Sequence, residues 1–165
     1  MFDAPLDAWY IWFGVTIASL AVLGVAIELP TAPPPNAASV ADTVDSVAGC
    51  SYTATAEHPI SARKIKLGPR RLGLEGAGGT AHSTFAYGPI VPVGGTTTGE
   101  FDRSGERLDR VLSGSPPSAV FDSPADFRAA IRKSQGERPT WKRAESTLRA
   151  RCVSWEGVDA TLVSG

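Results

Sequence analysis

The sequence predicts an α+β protein: an N-terminal transmembrane helix, then a small domain with about five mainly antiparallel strands and three short helices. Three observations predict it. Ala8 to Ile27 is an uncharged apolar run. Apolar and polar residues alternate over 62–88 and again over 148–162, the period of half-buried strands. Short segments between and before them repeat apolar residues every three or four positions beside helix caps. The organisation that follows is a tail and helix at 1–29, a proline-rich spacer at 30–36 and an α+β domain at 37–165.

The run reads AWYIWFGVTIASLAVLGVAI, twenty residues without Asp, Glu, Lys, Arg or His. At 1.5 Å per residue it spans ~30 Å, the thickness of a bilayer's hydrocarbon core. A cleaved signal peptide fits poorly. The preceding MFDAPLD holds two acids and no base, and Val25-Ala26-Ile27 is a weak cleavage site. Trp9, Tyr10, Trp12 and Phe13 cluster at one end, as aromatics do at a headgroup boundary. Asp7 is placed to cap the helix start, and Pro30 to stop it. Gly14, Ala18 and Ala21 share one face, where small side chains let helix backbones approach in lipid. Glu28 projects on that same side, either toward a basic partner group or toward water. This predicts a single-pass protein of the cell membrane, with the lipid bilayer and other membrane or envelope proteins as partners. Basic residues give no orientation, because the tail has none and the next after the run is Arg63. The two cysteines, the proline spacer and the Thr/Gly-rich 94–99 loop favour an extracytoplasmic C-terminal domain; the acidic tail opposes it.

PTAPPP at 30–35 favours extended polyproline II and reads as a semi-rigid spacer. Asn36 then caps a helix with Val40, Val44, Val47 and Ala48 on one face and Asp42 and Asp45 on the other; Gly49 ends it. A three-stranded meander covers about 62–88. Ile65 and Leu67 alternate with Lys64 and Lys66, Gly68-Pro69 turns, Leu72 and Leu74 alternate again, and Gly76 to Gly79 turn into Ser83, Phe85 and Tyr87. Gly88 to Gly99 is loop. One helix follows on Leu108, Val111 and Leu112. The next opens on Ser123, Pro124 and Asp126, a variant capping box, with Phe127, Ala130 and Ile131 as its core face. A hairpin closes the chain: Leu148, Ala150 and Cys152 run out, Glu156-Gly157 turn, and Val158, Ala160 and Leu162 run back.

Chemistry is sparse. Cys50 and Cys152 are the only cysteines. They form either one disulfide around a loop of about a hundred residues or two separate buried thiols. His58 and His82 match no common metal spacing. No nucleophile elbow, Walker loop, dinucleotide fingerprint or HExxH occurs. No catalytic residue, metal or cofactor is implied, and no small molecule is named. The net charge is −1, and Arg outnumbers Lys 12 to 4. Two basic stretches stand out: Arg63, Lys64, Lys66, Arg70 and Arg71 without an acid among them, and seven bases against two acids from Arg132 to Arg151. They form an anion-binding face or the solvated sides of ordinary strands and helices. Aromatics are not interleaved as nucleic-acid recognition requires. Two functions of different class follow: a membrane-anchored, non-enzymatic envelope component presenting an interaction domain, or a membrane-tethered module binding an anionic ligand or lipid headgroups.

FDAPLDAWYIWFG, PTAPPP, TAEHPI at 55–60, KIKLGPRRLGLEGAGGTAHSTFAYGPIVPV at 64–93 and the final RCVSWEGVDATLV are similar to an uncharacterised family of short haloarchaeal membrane proteins. These motifs are turn and packing signals. The resemblance implies, by association, a role beside pilus-like or secretion-type machines.

Overall fold

The structure is a computed structural model that describes residues 6–28, 32–49, 52–94 and 103–165. It divides into two units, Met1–Ala32 and Pro33–Gly165.

The first unit is helix α1, Leu6–Glu28. Ten large apolar side chains between Trp9 and Leu23 lie exposed on it, from Val15 at 53% to Tyr10 at 77%. The Thr16 hydroxyl donates back to the Trp12 carbonyl at 2.8 Å, so this polar side chain is satisfied within the helix. The single-pass expectation is corrected here. Among the described residues no helix is long and apolar enough to cross a membrane. The cell-membrane location, with its extracytoplasmic placement of the C-terminal domain, rested on that span and falls with it. Pro30 lies outside the described residues, as do the side chains of Asp7 and Glu28.

The second unit is α+β. Its elements are α2 (Ala37–Val47), β1 (Ala54–Pro59), β2 (Lys64–Leu67), β3 (Arg71–Gly76), β4 (Gly79–Thr84), β5 (Val91–Pro92), α3 (Arg103–Leu112), α4 (Pro117–Val120), α5 (Pro124–Gly136), β6 (Lys142–Arg143), β7 (Thr147–Trp155) and β8 (Val158–Ser164). The strands form two four-stranded sheets, ordered β1-β7-β8-β5 and β4-β3-β2-β6. All pairs are antiparallel except β5 with β8. The anticipated meander and final hairpin are present. The expected five strands become eight, and the three domain helices become four, because short elements escape periodicity. β1 alternates only Ala54, Ala56 and His58 inward, too little apolar mass to signal a strand. β5 and β6 are two residues each.

Local chemistry explains the boundaries. The Asn36 side chain accepts from the Ser39 N–H and starts α2. Ser123 accepts from the Asp126 N–H, and Pro124 occupies the first position of α5. Glu156 (φ 45°) and Gly157 (φ 76°) both take positive φ, the two-residue turn whose twist matches the β7–β8 hairpin. The proline segment does not stay a free spacer. Pro35 is buried and lies against Gly76, where an added Cβ would stand 3.3 Å from the Pro35 ring.

Two cores result. α2 supplies Val40, Ala41, Val44 and Val47 to a cluster with Ile65, Leu67, Leu72 and Leu74 of one sheet and Leu148, Ala150 and Val163 of the other. The opposite face of the β1-β7-β8-β5 sheet presents Val153, Val158, Ala160 and Leu162 to α3, α4 and α5 through Leu108, Val111, Phe121, Phe127 and Ile131. The Asp45 carboxylate accepts the N–H groups of Ala86 and Tyr87 at 2.9 and 3.2 Å, tying α2 to the segment that follows β4.

Phe127 is fully buried, with Phe121 at 5.1 Å and Trp155 at 6.1 Å between ring centroids. Phe127→Ala is expected to cost about 3–5 kcal/mol in denaturant unfolding, against about 1 kcal/mol for Ser123→Ala at the α5 cap. Equal losses from the two would remove Phe127 from the centre of this core.

Candidate functional site

The solvent face of the β4-β3-β2-β6 sheet gathers the domain's most distinctive polar surface. Alternation turns Ile65, Leu67, Leu72 and Leu74 inward, so Lys64, Lys66, Arg71, Gly73 and Glu75 face out. Register then sets Lys66 opposite Gly73 and Gly73 opposite His82. Trp141, just before β6, completes that row. Its ring centroid lies 6.0 Å from the Lys66 ammonium and 6.1 Å from the His82 ring, tilted by 54°. Gly73 is buried beneath these rings. A Cβ there would stand 2.8 Å from His82 Nδ1 and 2.9 Å from Trp141 Cη2, so only glycine lets both rings close over the strand. Beside them opens a cleft of about 580 Å³ whose walls include Lys66, Arg71, His82, Ser83, Thr84 and Pro139, with no carboxylate among its lining residues.

The five basic residues singled out in the sequence separate into different environments. Lys64 is neutralised by Glu75 at 2.9 Å. Arg63 turns toward the Gly76 carbonyl at 3.5 Å. Arg70 is exposed on the β2–β3 turn, where its backbone carbonyl accepts the Phe85 N–H. Lys66 and Arg71 share the cleft, and neither forms an ion pair among the described residues.

The second basic stretch disperses. Arg143 stands opposite Lys64 on the same sheet. The Lys142 ammonium donates to the Gly94 carbonyl at 2.8 Å. Burial pushes its pKa down, opposed by Glu137 and then Glu145, so it is committed to the fold and not to solvent. Arg149 approaches Glu57 at 3.6 Å. Arg151 donates to the Val111 carbonyl at the end of α3 at 2.6 Å, where a cation complements the helix dipole. Arg132 lines a separate groove that also contains Asp159. The two stretches therefore meet only at β2 and β6.

Trp141 and His82 are what sequence reasoning missed. Trp141 sits outside any periodic segment, and His82 reads as an ordinary strand residue. The available signal was Gly73 within a strand of otherwise bulky residues. His58 is placed elsewhere, with Nδ1 2.9 Å from the Thr43 hydroxyl. Among the described residues, no group of three or more His, Cys, Asp or Glu is placed to hold a metal ion. Gly14, Ala18 and Ala21 are exposed on α1, and an added Cβ at Gly14 would meet nothing within 4 Å. Cys152 is buried and disulfide-bonded; Cys50 lies outside the described residues.

The chain belongs to a family of unknown function, DUF7283, whose model matches residues 3–153. No curated protein and no solved structure matches it.

The disulfide gives a direct test. With only two cysteines in the chain, a ring closed from Cys152 to Cys50 restrains about a hundred residues of the unfolded state, worth ~4–5 kcal/mol in the chain-entropy model. Alkylation without reductant is expected to leave both cysteines unlabelled. Cys152→Ser is expected to lower the unfolding free energy by about that amount. Unchanged stability after the substitution would refute an intramolecular ring.

Proposed function

We propose that this member of DUF7283 is a non-enzymatic assembly component: α1 associates with α1 of further copies, and the α+β unit is the interaction domain they present. The observation that carries this reading is the exposure of α1. Trp9, Tyr10, Ile11, Trp12, Phe13, Val15, Ile17, Leu20, Val22 and Leu23 are each more than half exposed. A helix apolar all round has no stable solvent face and demands cover. Gly14, Ala18 and Ala21 supply the low relief at which a second helix packs closely. The resemblance to haloarchaeal proteins found beside pilus-like or secretion-type machines points the same way. The presented domain has two apolar cores filled by its own residues, 37 to 163, and so brings its own fold to the assembly.

Sedimentation of the full chain tests this. The wild type is expected to form a species of defined stoichiometry. The variant Ile17→Glu/Leu20→Glu/Leu23→Glu is expected to sediment as a monomer with the domain's unfolding transition unchanged. A monomeric wild type, aggregation without fixed stoichiometry, or a variant that still assembles would each overturn the reading.

A further inference from the structure

We infer that the cleft over Gly73 is a binding site for a small organic oxyanion, a phosphate or sulfate monoester whose flat organic group lies against Trp141. The site rests on other residues than α1, so it stands or falls apart from the assembly reading.

Three observations converge on it. First, the charge is uncompensated. Lys66 and Arg71 are diagonal neighbours across β2 and β3, a separation of about 7–8 Å between backbones. Their side chains line one cleft with no carboxylate in its walls. The adjacent cation on the same strand, Lys64, has its acid in Glu75 at 2.9 Å. The sheet therefore neutralises one outward cation and leaves two facing a common space. The Lys66 ammonium and the Arg71 guanidinium thus bring like charge to one space, a repulsion that an anion between them would relieve.

Second, the cleft is built into the strands. A glycine inside a strand forfeits cross-strand packing and weakens it. Here Gly73 is buried, and its missing side chain is what admits His82 and Trp141, each within 3 Å of where a Cβ would stand. The His82 ring lines the cleft beside the cations, and Trp141 stands at its rim, against Gly73 and 6.0 Å from the Lys66 ammonium.

Third, the donors match the ligand. Lysine supplies a point charge, arginine a planar fork suited to two oxygens of a tetrahedral group. Thr84 stands opposite Arg71 in register, on the same outward face, and is among the residues lining the cleft. Trp141 remains 36% exposed, offering an apolar surface for the group the oxyanion is carried on. A free inorganic anion uses the cations alone; an ester uses the ring as well. Preference for the ester is therefore the signature of this site.

Calorimetric titration of the full chain with phenyl phosphate, phenyl sulfate, inorganic phosphate and phenol tests the inference. Indole-¹⁵N tryptophan labelling locates the ligand: the chain has four tryptophans, and Trp141→Phe identifies the signal of Trp141. Phenyl phosphate or phenyl sulfate is expected to bind and shift the Trp141 indole, with the better of the two identifying the oxyanion. Inorganic phosphate is expected to bind more weakly, and phenol not at all. Lys66→Ala and Arg71→Ala, both at solvent-facing positions, are each expected to weaken the ester about tenfold, the loss of one charge-assisted contact. Gly73→Ala, which drives the rings apart, is expected to remove the Trp141 shift; thermal unfolding checks that the sheet survives. No heat and no Trp141 shift with either ester would overturn the inference. So would equal binding of phenol, which needs no cation, or Lys66→Ala and Arg71→Ala variants that bind like the wild type. Ester binding that leaves the Trp141 signal unmoved would place the ligand elsewhere and overturn it too.

Discussion

Everything in the domain depends on β8 being buried on both faces. Val158, Ala160 and Leu162 face the three helices α3 to α5, while Val163 faces the core that α2 shares with the other sheet. β7 pairs with β8 along its length, and β5 closes the other edge at Val91 and Pro92. A strand in that position must be buried at nearly every residue, and VDATLVS is, with only Asp159 exposed and the hydroxyls of Thr161 and Ser164 buried beside four apolar side chains. Each fully buried Leu or Val contributes roughly 1.5–3 kcal/mol. The strand thus couples two clusters that would otherwise be separate, and the tight turn at Glu156-Gly157 fixes the register of both at once. A one-residue slip in β8 would exchange the faces and present Asp159 to the helices.

The same logic of alternation produces the outer face of the second sheet. The inward set Ile65, Leu67, Leu72 and Leu74 is fixed by the α2 core, so the outward set is fixed as its complement. That complement includes three cations, one acid and one glycine. Lys64 and Glu75 neutralise each other. Lys66 stands beside Trp141 instead of an acid, and a cation over an aromatic ring gains about 0.5–1 kcal/mol at an exposed site, which tolerates its charge without cancelling it. The sheet's stability does not need Lys66 or Arg71 to be basic; their charge is surplus to the fold.

Much of this was legible in the sequence where a short-range rule decides the outcome. Asn36 and Ser123 cap helices because their side chains reach backbone N–H groups three residues on. The meander and the hairpin follow from period-two alternation of bulky residues. β1 was not legible: its inward residues are alanines and a histidine, and it becomes a strand only because β7 offers a complete antiparallel edge from Thr147 to Cys152. β5 is set by its parallel partner and not by its own two residues. The Trp141–Lys66–Gly73–His82 row was not legible either, since it assembles residues up to 75 positions apart through the register of four strands. The α1 run was read correctly as a helix, but its length and composition were taken to mean a span. Length and composition license a helix that must be covered; they do not name what covers it.

That distinction separates α1 from the domain's other helices. α2 buries five of its eleven residues and leaves Asp42 and Ser46 exposed; α5 buries Phe127, Ala130 and Ile131 and leaves Arg128 and Arg132 exposed. Each has one apolar stripe, sized to one core. From Trp9 to Gly24, α1 has no buried side chain and no charged one, so no rotation of the helix gives it a face suited to water. A single packing partner covers roughly one stripe of about a third of the circumference. Several neighbours are therefore required to cover it, and a symmetric bundle of like helices supplies them with one sequence and one packing rule. In such a bundle the aromatic cluster at Trp9 to Phe13 would mark one end, and Gly14, Ala18 and Ala21 would supply the low relief further along.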